Sequence, residues 1–244
     1  MCIDLQKQDD FYSRLSSAEL RRKAEKSKNK SSNSGKIMEP VLIEGRQVAN
    51  TWWGRAWCSN LENYADYRNR VGRGKSYVRA GAVIDLKMEG SMIKARVQGS
   101  RKSPYKIEVR IDSMPETRYR AALKNLGNRI ENLEDLVNGD FPTEMKSLFL
   151  DPKIGLFPNP REIHFTCSCP DWASMCKHVA AVLYGIGNRL DHNPLLFFTM
   201  RGIDVSDFIR RSVEEKLSTM LKNADTKSPR IIEDQSIEDL FGVL

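Results

Sequence analysis

Three cysteines and a histidine crowd into 167-CSCPDWASMCKH-178, as Cys167-Ser-Cys169 and then Cys176-Lys-His178. Three soft thiolates and an imidazole are the ligand set of a four-coordinate, tetrahedral zinc site. With all four positions taken by protein, no place is left for water or substrate, so a single ion of structural use is expected. The flanking residues agree with that geometry. Ile163, Phe165, Cys167 and Cys169 alternate with His164, Thr166 and Ser168, which in an extended strand puts both cysteines on one face. Pro170 then interrupts the strand, since it has no N–H to donate. Residues i and i+2 of a regular helix point to different sides, so Cys176 and His178 can share an ion only where the chain turns into a helix. Val179, Leu183, Ile186 and Leu190 supply that helix by their spacing. His164 falls on the opposite strand face, and His192 lies beyond the far end of the helix. Ordinary buried cysteines and a redox pair are the alternative readings.

The wording of this segment, CSCPDWASMCKHVAAVLYGIG, resembles the SWIM-type zinc finger. The upstream stretches TWWGRAWCSNLE (51–62), GRGKSYVRAGAVIDL (72–86) and VQGSRKSPYKIEVRI (97–111) resemble prokaryotic SWIM-finger proteins, as does DHNPLLFFTMRG (191–202). Such proteins are often associated with Swi/Snf-type helicase-like ATPases. The resemblance covers residues 46–210. It implies zinc held by Cys167, Cys169, Cys176 and His178, and a role in contacting DNA or a protein partner.

At 244 residues the chain can bury one sizeable core with a small satellite. No apolar run approaches the roughly 20 residues of a membrane span, and MCIDLQKQDD has neither the basic nor the apolar region of a signal peptide. Five cysteines, three assigned to metal, fit a reducing cytoplasm, with Cys2 and Cys58 as free thiols. No membrane contact and no small-molecule substrate are expected.

The expected fold class is α+β: an antiparallel β-meander covered by helices, then a helical region containing the zinc hairpin. Residues 1–36 read as a basic, flexible extension, with a short helix around Phe11–Lys26 anchored by Leu15 and Leu20 and a solvated linker over 27–36. Residues 37–113 form the helix-plus-meander domain, 114–160 a helical connector, 161–222 the finger and following helices, and 223–244 a linker and acidic-apolar tail. Trp52, Trp53 and Trp57 recur at helical spacing over 51–67 as core anchors. A glycine-punctuated loop follows over 70–79, then strands over Ser76–Lys87, Ser91–Gln98 and Tyr105–Asp112. Helical stripes run through Tyr119, Leu123, Leu126 and Ile130, and again around Val205, Phe208 and Ile209; Arg201 reads as exposed and without a role.

Charge is unevenly spread. Residues 46–110 hold 14 Lys or Arg against five acids, whereas residues 111–244 hold 16 against 20. Arg70, Arg73, Lys75 and Arg79 of the glycine loop, Lys94, Arg96, Lys106 and Arg110 of the strands, and Arg101 and Lys102 of a turn are the candidate phosphate-binding residues. Arginine forks suit phosphate oxygens, and glycines admit backbone N–H groups to them. The expected function is therefore non-enzymatic: nucleic acid, DNA foremost, bound with little sequence specificity while zinc acts as a clamp. The alternative is an adaptor that docks a helicase-like ATPase through the finger and the C-terminal tail. The tail, 233-EDQSIEDLFGVL-244, suits either a partner groove or packing back on its own domain. No activated nucleophile or open metal position suggests an enzyme.

Overall fold

A computed structural model describes residues 15–62, 68–126, 133–140, 143–171 and 175–224. Cys2, Tyr64, Ile130 and the stretch 225–244, on which some of the expectations above fall, lie outside these residues.

Alternating apolar and polar residues in the front half build an antiparallel meander of β1 (Val83–Glu89), β2 (Met92–Val97) and β3 (Tyr105–Ile111). The finger strand, β4 (Ile163–Cys167), adds to the free edge of β3, giving the sheet order β1-β2-β3-β4. In β3, Tyr105, Ile107, Val109 and Ile111 are buried while Lys106, Glu108 and Arg110 are exposed, the period of two that leaves one face wet. Cys167 pairs with Ile107, Phe165 with Val109 and Ile163 with Ile111. Residues 37–113 and 161–222 thus share one sheet. The outer edge of β1 is partly covered: Val41 N–H donates to the Val83 carbonyl, and Leu86 N–H to that of Glu39.

Helix α1 (Ser17–Asn33) starts at a capping box, in which the Ser16 hydroxyl accepts from Glu19 N–H and the Glu19 carboxylate accepts from Ser16 N–H. Leu20 and Ala24 are buried. The helix runs through positions 27–33, which sequence composition suggested as solvated linker; anchoring by Leu20 and Ala24 and a bond from Ser27 to Gln98 oppose that. Helix α2 (Trp52–Glu62) buries Trp53 and Trp57 completely. Their indole N–H groups donate to the Leu136 and Leu183 carbonyls at 2.8 Å each. Residues 70–79, expected as a glycine loop, form helix α3 (Arg68–Arg79), and β1 accordingly begins at Val83, not Ser76. The chain continues through α4 (Glu116–Leu126), α5 (Leu133–Asn138), α6 (Thr143–Leu150) and a 3-10 turn at Pro160–Glu162. After β4 come α7 (Lys177–His192), α8 (Leu195–Met200) and α9 (Val205–Ala224).

Helix α7 is the centre of the packing. It lies against the sheet and also against α2 and α3. Cover on both sides buries twelve of its residues, well beyond the single stripe expected from spacing. Close approach requires small residues at the crossings. A Cβ on Gly74 would stand 2.5 Å from the Ala180 Cβ, and one on Gly54 2.5 Å from the Gly187 carbonyl oxygen. Gly74 therefore serves helix packing, which is why a glycine-rich stretch is helical here. A second apolar nest gathers Trp53, Phe149, Phe157, Phe197 and Phe198, with ring centroids of Trp53 and Phe197 5.1 Å apart. Among the described residues no helix is long and apolar enough to cross a membrane.

Candidate metal centre

The sheet and α7 meet at one end of the molecule, and there the four ligands come together. Cys167 is the last residue of β4, and the ladder reaches one step further: Ser168 N–H donates to the Lys106 carbonyl, while Lys106 N–H donates to the Ser168 hydroxyl. This pairing anchors the Cys167 end of the segment, and the chain bends over Ser168–Pro170 to bring Cys169 to the site. Cys176 is the N-cap of α7, its sulfur accepting from Val179 N–H, and His178 sits in the first turn. The strand before the ligands and the helix start at Cys176 and His178 are as read from spacing, but the strand ends at Cys167 and does not run through Cys169.

Ligand atoms of Cys167, Cys169, Cys176 and His178 all lie within 4.8 Å of one another. His178 Nδ1 is 3.8 Å from Cys176 Sγ, close to the edge of a tetrahedron whose ligands stand about 2.0–2.3 Å from zinc. His178 is 3% exposed, with its Nε2 lacking a hydrogen-bond partner among the described residues. Gly99 and Tyr105 enclose the ring, since a Cβ on Gly99 would meet Tyr105 at 2.5 Å and His178 Nε2 at 2.9 Å. The donor set and its compactness fit one structural zinc ion. His164, on the other strand face, bonds instead to Asp112 at 2.8 Å, and His192 is at the far end of α7.

The protein's own charges favour one thiolate and oppose three. A hydrogen bond from Cys167, then one involving His178, and the Val179 N–H lower the Cys176 thiol to about 4 despite burial. Its position at a helix N-terminus acts in the same direction. Cys167 is raised because it is the donor to Cys176 and is desolvated beside that charge, and burial raises Cys169. A divalent cation removes this conflict by neutralising thiolates that would otherwise repel.

Cations ring the centre. Arg70 pairs with Asp171 of the finger loop at 2.9 Å. The Lys177 ammonium lies 5.7 Å from the Tyr77 ring centroid, and the Arg101 guanidinium 5.7 Å from that of Tyr105. Both tyrosines pack on the His178 ring, at 5.4 and 4.3 Å. Burial and the charge of Arg73 lower the Lys177 ammonium below its ordinary value, which puts Arg73 in the same group. Lys23 of α1 donates to the Ser100 carbonyl in the β2–β3 turn, beside exposed Arg101 and Lys102. Lys177 and Lys23 were missed by sequence reasoning; the first was visible as the residue between two ligands.

The other candidate phosphate binders are placed elsewhere. Lys94, Arg96, Lys106 and Arg110 are on the outer face of the sheet, among Asp85, Glu89 and Glu108. Lys94 pairs with Glu89 at 3.5 Å and Arg110 with Asp112 at 3.0 Å. Lys75 pairs with Glu62, and Arg79 is exposed at the other end of α3. The ten cations thus do not form one surface.

At the opposite end of β4 sits a second polar centre, read only in the structure. Arg201 is 0% exposed, where the sequence suggested exposure. Its guanidinium donates to the Asp112 carbonyl at 2.5 Å and to Glu162 at 2.9 Å. Arg118 holds the other Glu162 oxygen at 2.8 Å and donates to the Gly155 and Phe157 carbonyls. Burial pushes the Glu162 carboxyl up, but Asn159 N–H and the two guanidiniums outweigh it and hold the group below its ordinary value.

Residues 158–185 match the SWIM zinc finger family. "Uncharacterized protein Rv2102" of Mycobacterium tuberculosis is 33% identical over 163 residues, covering 66% of this chain and 58% of that protein. The chain therefore spans less than two thirds of that relative's length. No solved structure matches.

Proposed function

We propose that this SWIM zinc finger protein binds nucleic acid, DNA foremost and with little base preference, through the basic surface around its metal centre. Zinc is the clamp that keeps the surface assembled. One observation carries the reading: cations from four separate segments converge on the four ligands. Lys23 comes from α1, Arg70 and Arg73 from α3, Arg101 from the β2–β3 turn and Lys177 from α7. Arg101 and Lys177 are steadied over tyrosine rings, an arrangement that holds a cation without consuming its charge. The outer face of the sheet supports the reading less, because acids stand among its bases.

The test is binding of zinc-loaded protein to labelled single- and double-stranded DNA and RNA across a salt series. Arg73→Glu with Lys177→Glu is expected to weaken binding about tenfold or more and to reduce the slope of log affinity against log salt by about two phosphates. Lys94→Glu with Arg96→Glu is expected to do less. Absence of wild-type binding even at low salt would sink this reading and leave the adaptor for a helicase-like ATPase in the lead.

A further inference from the structure

Helix α9 has two apolar faces. One, containing fully buried Phe208 and Ser212, packs on α4 and α8. The other carries Val213, Leu217, Met220 and Leu221, which are 48%, 56%, 60% and 61% exposed. Successive residues of a helix turn by about 100°, so these four share the side opposite Phe208 and Ser212. Their spacing of i, i+4, i+7 and i+8 is that of a face meant for burial.

The chain leaves α9 at Ala224 and continues into residues 225–244, outside the described part. Their sequence has an apolar pattern that matches that face. Ile237, Leu240, Phe241 and Leu244 repeat at i, i+3, i+4 and i+7, with Glu233, Asp234, Glu238 and Asp239 among them and no Lys or Arg after Arg230. Lys216 flanks one edge of the Val213–Leu221 face, and Glu214, paired with Arg210, flanks the other. We propose that residues 231–244 dock along the Val213–Leu221 face of α9 in their own chain. Apolar spacing matches apolar spacing, and the acids of the segment meet Lys216 along one edge of the face. The connection over 225–230, with a turn-forming Pro229, is short enough to present the segment at an effective concentration in the millimolar range. At that concentration it displaces a second copy or a separate peptide of similar chemistry.

Hydrogen exchange of residues 213–224 in the full chain tests this. Leu240→Asp with Phe241→Asp should speed exchange there about tenfold, leaving the sheet, α7 and zinc content unchanged. Glu238→Lys with Asp239→Lys should give a smaller rise. Exchange indifferent to both variants would overturn the proposal. Protection that grows with protein concentration would overturn it too, by assigning the face to a second copy.

Discussion

Strand β4 is fixed at its two ends by different chemistry. At Cys167 the strand runs into four metal ligands; at Ile163 it is preceded by Glu162, held between two buried guanidiniums. Both devices pin the edge strand of the sheet, which backbone pairing to β3 alone would hold on one side only. They differ in what they rely on. Metal ligation draws its free energy from an ion outside the chain, so its strength follows supply and acidity. The ionic clamp is made wholly of protein and depends on no ion supply, and it gives way to acid only below the ordinary carboxylate range; its groups have already been taken out of water, so losing one leaves the others stranded.

The largest expected effect is at the metal end. Cys176→Ser should abolish stoichiometric zinc, read by elemental analysis, and lower Tm by about 10 °C or more. That figure uses about 2–4 °C per kcal/mol for a chain of this size and a metal contribution of several kcal/mol. Zinc retained in full by this variant would break the ligand assignment. Next comes Glu162→Gln, which leaves the Arg201 and Arg118 charges without their carboxylate. A loss of about 3–5 kcal/mol is expected in chemical denaturation, with zinc content unchanged. If zinc affinity falls in parallel, the two ends are one cooperative unit and the contrast fails.

Acidification should separate the ends with the smallest perturbation. Glu162 has a lowered pKa in the folded chain, so its stabilisation is present above its ordinary pKa of 4.5 and is lost as the pH falls through the depressed value. Thiolates and imidazole must be deprotonated to hold metal, so zinc release is expected at the higher pH. A chelator dye followed alongside near-ultraviolet circular dichroism would read both events. Simultaneous transitions would again mean one unit.

The same contrast explains what could be read in advance. The metal centre was legible because its ligands are neighbours in sequence, and strand alternation and helical spacing fixed their relative directions. The Glu162 clamp was not legible. Its partners lie 44 and 39 residues away, and an arginine inside the core looks locally like any surface arginine. Segment 70–79 failed for a related reason. Its glycines fit a loop as well as a helix until Ala180 of α7 is known to press against Gly74. Likewise, the basic residues were found by type, but only their placement divided those around the metal from those on the mixed outer face of the sheet.

The central position of α7 bears on how the protein is made. Residues 52–111, which form α2, α3 and the meander, leave the ribosome roughly 80 residues before α7 is complete, an interval of about 4–16 s at typical synthesis rates. Throughout that time the surfaces of the sheet and of both helices that α7 will cover lack that cover. Apolar surface left open on a growing chain is where misassembly begins. Two of the metal ligands, Cys176 and His178, stand at the start of α7, so the finger and the helix that closes the core are completed in one stretch of synthesis.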